Sequence, residues 1–484
     1  MKKILAAAFL LLLLCGLAAA EENLQVYPVP EGTPCEDVWF EVTVNGSEAG
    51  VYSDYNFDFE EINFTYFNFK PGTEVDVVIK PLFTFAQVEI LPADDNLKWD
   101  VTDKVIHMHL NEPGGDYSFV FDGRYQSTTL HIFTNPIDED EQKIKSAFTT
   151  LYFGPGYHDF GGKQIKLTSG MTMYVAAGAV VNAPIAVEYA ENVKICGSGI
   201  IMMDKINADN PQYGNIVICF NHAKHVSLSG VIAHTHKNQI WTTHVYFCDD
   251  VDINNYHVVS GRYASVDALD ISNSQNVTVT DCFLRSCDDC ITIKGLAGTQ
   301  TPAEAPANEH IHVSGCTLWN DCNNAMVIGE ESMAAYYDDI TFRDIDVLYS
   351  YDDRDNHEKL DERAVMSIVT LHGTYIRNIL WEDIRVNNCQ RLICFNFKSS
   401  FWFGSIQGNQ TFPGGISGVT LRNISCKSPN TGKIANEILM RGWSDDKLVE
   451  DVLFDNVVVN GTRILGLMNP YMKINQYTKN IRFK

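Results

Sequence analysis

Val226-Ser-Leu-Ser-Gly230, Val251-Asp-Ile-Asn-Asn255 and Val277-Thr-Val-Thr-Asp281 are one short pattern written three times. Apolar residues fill its first and third positions, and Gly, Asn or Asp closes it. Alternation of this kind reads as a strand with one buried face. The pattern begins at Val193-Lys-Ile-Cys-Gly197 and continues as Ile311-His-Val-Ser-Gly315, Ile340-Thr-Phe-Arg-Asp344, Ile379-Leu-Trp-Glu-Asp383, Val419-Thr-Leu-Arg-Asn423 and Val452-Leu-Phe-Asp-Asn456. Successive instances are offset by 33, 25, 26, 34, 29, 39, 40 and 33 residues. Periods of this length signal a solenoid, a propeller or an array. Helix-period segments are nearly absent, which excludes helical repeats. A propeller blade would carry four strands and a blade signature. Each unit here holds two or three short strands and an irregular loop, which predicts a right-handed parallel β-helix with one coil per unit. The closing Gly, Asn and Asp tolerate the left-handed backbone that a sharp coil corner needs.

Outward from the repeats, the chain divides into parts. Residues 21–145 alternate differently, as in Val38-Trp-Phe-Glu-Val-Thr-Val44 and Val105-Ile-His-Met-His-Leu110, with turn signals at Asn45-Gly46 and Pro113-Gly114-Gly115. Several short strands in that length predict a β-sandwich. The acidic run Asp138-Glu139-Asp140-Glu141 reads as a boundary, and residues 146–484 as the β-helix. Residues 1–20 read as a bacterial export leader: Lys2 and Lys3, an apolar stretch from Ile4 to Leu14, and Ala18-Ala19-Ala20 as the cleavage site. The expected location is therefore secreted or periplasmic. No later run is apolar enough for a membrane span.

Composition narrows the function. Of 484 residues, 61 are acidic and 36 basic, for a net charge of −25. Such a surplus argues against a nucleic-acid partner, which calls for Lys and Arg to displace phosphate counterions. Twelve of the 13 Cys lie beyond the leader. Export permits disulfides, yet Cys282, Cys316 and Cys426 sit in apolar runs where Cys acts as a small hydrophobe. Cys287-x-x-Cys290 lacks a clear second half for a zinc site and reads as packing or a disulfide partner. No metal site or cofactor is predicted.

The chemistry concentrates in Asp267-Ala-Leu-Asp270-Ile and Ser286-Cys-Asp288-Asp289-Cys-Ile-Thr-Ile-Lys294. Asp267 and Asp288 are 21 residues apart, close to one short coil, and equivalent positions on adjacent coils lie side by side. Asp267, Asp288 and Asp289 are therefore expected to gather on one face. Clustered carboxylates push at least one pKa up, which sets a proton donor beside ionised neighbours. An acid and a base in one groove are what glycoside hydrolysis uses. Paired acids also occur at Asp249-Asp250, Asp338-Asp339, Asp352-Asp353 and Asp445-Asp446, where Asp bonds its own backbone at corners. Spacing to Asp267 distinguishes the 288–289 pair.

These segments, with Ala325-Met-Val-Ile-Gly329, resemble the central motifs of the β-helical glycosidase clan that includes glycoside hydrolase family 28, the polygalacturonases. The resemblance implies an inverting mechanism with Asp288 as general acid and Asp267 and Asp289 holding the attacking water. The family's Gly-His-Gly site reads Asn323-Asn324-Ala325, and its Arg-Ile-Lys site falls at Arg363-Ala-Val-Met-Ser-Ile368, without a match. That Arg and Lys bind the substrate carboxylate in polygalacturonases, so their loss points to a neutral sugar. The sister family 49, dextranases and isopullulanases, is similar in having a β-sandwich before the β-helix. Tyr152-Phe-Gly-Pro-Gly156 and Met173-Tyr-Val-Ala-Ala-Gly178 resemble the start of its helix.

Asp270, Lys294, Asn324, Glu330 and Arg363 are the candidate substrate-binding residues, and Glu330-Glu331 is the alternative acid pair. His244, His310 and His372 read as local hydrogen-bonding groups. Trp241, Tyr351 and Trp402 are candidate sugar platforms. The expected partner is a polysaccharide or oligosaccharide, with an α-glucan such as dextran as the leading substrate. A pectic hydrolase with an altered clamp, a cation-dependent lyase and a non-catalytic glycan-binding β-helix are the alternatives. Residues 296–309 and 350–362 are expected to wall the groove, and oligomeric state is left open.

Overall fold

The computed structural model describes residues 23–56, 60–205, 216–236, 241–261, 265–351, 363–401, 404–405, 407–429 and 434–484. The predicted leader, Trp402 and residues 352–362 of the second expected wall lie outside the described residues. No helix among the described residues is long and apolar enough to cross a membrane.

The N-terminal part is a sandwich of a six-stranded and a five-stranded sheet, mostly antiparallel. Alternation explains it. In Phe40–Val44, residues 40, 42 and 44 are buried and Glu41 is exposed. These side chains join Ile79, Ile106, Phe119 and Ile132 in one apolar layer between the sheets. The last sandwich strand, Thr129–Pro136, is followed by a six-residue helix, Glu141–Ser146, and coils begin at Thr150–Phe153.

The second part is a parallel β-helix with three faces. The first face holds the repeated pattern, and the second holds short strands such as His257–Val259, Phe283–Ser286 and Thr317–Asn320. The third is an 11-stranded parallel sheet running from Ile165–Leu167 to Met472–Ile474.

The repeat visible in the sequence is the register of the first face. Its third positions pair in one unbroken column: Ile195, Leu228, Ile253, Val279, Val313, Phe342, Trp381, Leu421 and Phe454. All point inward and none is more than 1% exposed. Phe342 and Trp381 stack nearly flat, 5.6 Å apart. Each closing residue, from Gly197 and Gly230 through Asn255 and Asp281 to Asn456, has positive φ, as the corner reading predicts. At Gly230 a Cβ would lie 2.2 Å from the Gly197 carbonyl oxygen, so the corner stack leaves no space for one.

None of the 12 described Cys forms a disulfide. Eleven are buried, Cys287 and Cys290 among them, so packing rather than cross-linking describes these positions.

The sandwich lies against the second face. Ile62, Phe64 and Phe133 pack on Ile200, Ile232, Phe283 and Trp319 in one cluster. A buried ionic clamp fixes this contact. Arg285 bonds Asp321 through Nε at 2.8 Å and Nη2 at 3.2 Å, and its Nη1 donates to Thr129 Oγ1 at 2.6 Å and His131 Nε2 at 2.9 Å. A guanidinium only donates, so His131 Nε2 is the acceptor and Nδ1 carries the proton toward Ser118 Oγ at 2.8 Å. Burial, then the Arg285 charge, holds the His131 pKa well below its ordinary value and keeps the ring neutral.

Removing Arg285 strands the Asp321 carboxylate in an apolar contact. Arg285→Met is expected to cost ~3–5 kcal/mol in denaturant unfolding, and adding Asp321→Leu to recover much of it. A single-variant loss under ~1 kcal/mol would show that the clamp does not hold the two parts together.

Candidate active site

The site forms where the second face turns into the third. Leu269, Ile291, Met326 and Met366 pair across four successive coils. Extending that register backwards past the strand ends aligns Asp267, Asp289, Asn324 and Ala364. Backbone bonds carry it: Ala268 N donates to Asp289 O at 2.9 Å, Cys290 N to Asn324 O at 3.0 Å, and Ala325 N to Ala364 O at 3.4 Å. The coil neighbour of Asp267 is thus Asp289, not Asp288 as the 21-residue spacing suggests. Asp288 stands one residue earlier, in the turn.

The three carboxylates nevertheless converge, with one oxygen of each within 4.8 Å of the other two. Asp288 is the most exposed at 8%, against 2% for Asp267 and 5% for Asp289. Its Oδ2 accepts from Ser265 N at 2.5 Å, and its Oδ1 from Asp289 N at 2.9 Å and from the Asn323 amide. Asp289 Oδ1 accepts from Asn324 N at 3.1 Å and Asn324 Nδ2 at 2.9 Å.

The candidate binding residues mostly serve these carboxylates. Lys294 is 5% exposed, with Nζ 2.8 Å from Asp267 Oδ2 and 2.9 Å from Asp270 Oδ1. It is a tether between two buried acids rather than an open donor. Asp270 has no exposure, so its carboxylate faces Lys294 and not a substrate. Asn324 is also fully buried, and its Oδ1 accepts from Ala364 N at 2.9 Å and Ser367 Oγ at 2.6 Å. With both ends engaged, it orients Asp289. Glu330 is 6% exposed on the third-face strand Met326–Met333, where it pairs with Thr370 of the next coil. Arg363 is half-buried beside Ala364, and its carbonyl accepts from Arg391 Nη1 at 2.9 Å.

Other candidates sort by position. Trp241 lies one coil before Asp267, and Lys294 Nζ sits 4.3 Å from its ring. His244 is buried, bonds Ser272 Oγ at 2.9 Å, and is pushed down to about 3 by burial and then Lys294. His310 pairs with Asp339 on the surface, and His372 Nδ1 accepts from Ser332 N at 3.4 Å. The insert at 296–309 closes on the site's neighbours, with Asn273 Nδ2 donating to Pro306 O at 2.8 Å. Ser265 and Ser367 escape sequence reasoning because their roles depend on turn lengths that no local pattern encodes.

Burial sets the electrostatics. It pushes Asp289 up to about 7, helped by the Asp288 charge and opposed by Lys294 and the Asn324 amide. Asp267 is held well above the usual carboxylate range by burial and then Asp270, with Lys294 offsetting part. Asp270 rises to about 6 through burial, again opposed by Lys294. Burial disfavours the Lys294 charge, yet Asp267 and Asp270 outweigh it and raise its pKa. The cluster thus retains protons near neutrality and can exchange them with a bound reactant. Oxygens at this spacing also suit a divalent cation, but Asp267 Oδ2 already faces the Lys294 ammonium.

A raised carboxyl pKa means that the native state binds more protons than the unfolded chain between pH ~4 and ~7. The Asp289 contribution to stability therefore falls as pH rises through that window. Asp289→Asn is expected to abolish turnover yet raise both the melting temperature and the unfolding free energy at pH 8, the latter by on the order of 2–4 kcal/mol, a gain that vanishes near pH 4. Equal melting temperatures at pH 8 would contradict the buried-charge reading.

Comparisons with known proteins agree with this geometry. The pattern of Glycosyl hydrolases family 28 matches residues 164–350, which include all three carboxylates. Dex49A from Penicillium minioluteum shares the fold at a TM-score of 0.66 and 14% identity, covering 95% of this chain and 96% of its own. The hyperthermoactive exopolygalacturonase from Thermotoga maritima aligns at a TM-score of 0.53 and 16% identity, covering 69% of this chain and 84% of its own. Comparison with curated proteins finds no match. The family 28 pattern thus runs through the coils that carry the acid cluster, and the sandwich followed by a parallel β-helix is the fold that this chain shares with Dex49A.

Proposed function

We propose that the protein is an exported inverting glycosidase acting on a neutral polysaccharide, with an α-glucan such as dextran as the leading substrate. The observation that carries the neutral-sugar reading is the tethering of Lys294 by Asp267 and Asp270. Lys294 is thereby held by its own carboxylates at this corner and does not stand open to a substrate carboxylate. A polyanionic chain would meet repulsion there, whereas hydroxyl groups find acceptors.

Asp288 is the general acid. It is the most exposed of the three, and among the described residues its Oδ2 accepts one bond, from Ser265 N, which leaves a position for a proton. That proton passes to the glycosidic oxygen as the bond to the anomeric carbon breaks. Asp267 and Asp289 face each other across one coil spacing, roughly 4.8 Å, and hold the attacking water. The water oxygen bonds the anomeric carbon and its proton goes to this pair. Lys294 on Asp267 and Asn324 on Asp289 favour the ionised form that a base needs, against the burial that raises both pKa values.

The match to family 28 favours a second reading, a pectic hydrolase in which Arg363 meets the substrate carboxylate. Reducing-end release from dextran, pullulan and polygalacturonate, measured side by side, separates the two. The expected result is release from a neutral glucan, lowered ~100-fold or more in Asp288→Asn. Release from polygalacturonate alone would overturn the neutral-sugar reading. Activity lost in chelator, with an ultraviolet-absorbing product, would indicate a lyase instead.

A further inference from the structure

The sandwich edge runs along the same corner as the acid cluster. At Gly261, one coil before Cys287, a Cβ would lie 2.6 Å from the Tyr55 carbonyl oxygen, so sandwich backbone presses directly on the turn. In the other direction, the sandwich loop 123–127 meets Tyr349, Tyr351 and Asn388 and encloses a cleft of about 390 Å³. That volume suits a small ligand.

The cleft's Tyr351 stands two coils beyond the acid cluster's Asp288. Ser286, Asn320 and Ser350 pair across three successive coils. Tyr351 N donates to Asn320 O at 3.2 Å, and Asn320 Nδ2 donates to Asp288 O at 2.6 Å. Asn320 thus links the backbones of Tyr351 and the proposed acid, through its own carbonyl on one side and its side chain on the other, across two coil spacings or roughly 10 Å.

Its wall is an ordered aromatic row. Tyr125 stacks on Tyr349 at 5.3 Å and 11°, and Tyr349 on Tyr351 at 4.8 Å and 8°. Asn387 Nδ2 fixes the Tyr125 hydroxyl at 2.8 Å. Tyr349 is buried within the row, while Tyr351 is its half-buried end. Glu60, Arg124, Ser127 and Asn388 supply donors and acceptors around it. A flat ring ringed by short polar groups is the chemistry that takes a pyranose: apolar C–H face on the ring, hydroxyls on the rim.

We propose that this cleft is a distal sugar-binding subsite, built jointly by the sandwich and the β-helix, that holds the glycan chain beyond the bond cleaved at Asp288. The sandwich is then a wall of the substrate groove. The inference rests on the glycosidase reading above and assigns that site a specific reach.

Asp288→Asn serves as the parent for binding, titrated with dextran and with polygalacturonate. Adding Tyr351→Ala is expected to weaken binding of whichever chain the parent takes by ~3- to 10-fold, and Tyr351→Phe to restore most of it. Adding Arg124→Ala, whose side chain is exposed on the sandwich loop, is expected to weaken it ~2-fold or more, and it decides the question if Tyr351→Ala fails to fold. Parent-like affinity in both Tyr351→Ala and Arg124→Ala overturns the subsite while leaving the glycosidase reading intact. A parent that binds neither chain, with no reducing ends released by the wild type, overturns the glycosidase reading and the subsite with it.

Discussion

Everything in the β-helix depends on parallel register between coils. Each coil is hydrogen-bonded to the next, so a residue's neighbours are fixed by alignment and not by sequence distance. A one-residue slip would turn every inward side chain outward. The column from Ile195 to Phe454 prevents such a slip, because large apolar groups fill it on every coil. The same register, carried to the third face, aligns Asp267, Asp289 and Asn324. The apolar core therefore fixes the positions of the acids through the register it sets.

That placement opposes stability. Like charges brought together under burial repel and lose hydration, which is why Asp267, Asp270 and Asp289 all have raised pKa values. Lys294 and Asn324 offset part of the cost at the atoms where it arises. The remainder is borne by the stacked coils and by the clamp of Arg285 on Asp321, Thr129 and His131. Destabilising groups at one corner and a rigid scaffold around them are a common trade between function and stability.

The coils were legible in sequence because their signals are local. Two alternating apolar residues and a left-handed corner residue lie within five positions, and the pairing of those positions follows from repetition alone. The acids were legible as a group, since Asp267 and Asp289 fall about one coil apart. Their pairing was not, because it turns on how many residues the corner consumes: Asp288 is the one spent in the turn. Lys294 read as a substrate-binding residue, yet neighbouring carboxylates draw it inward. Arg285 belongs to none of the motifs in the sequence. Its partners Thr129 and His131 lie about 150 positions earlier, on a different kind of sheet. Contacts between the two parts of the chain leave no periodic trace in either.

The central claim is that two clamped carboxylates share a water while a third, in the turn, supplies the proton. Carboxyl separations of ~5–5.5 Å accompany retention at the anomeric carbon and ~6.5–9.5 Å inversion. The nearest oxygens here lie within 4.8 Å, so spacing alone favours a nucleophile, while the bonds to Lys294 and Asn324 favour a water-holding pair. Proton NMR of the first sugar released, read before mutarotation, decides between them. The account predicts the anomer opposite to that of the cleaved linkage, and the same anomer would contradict it.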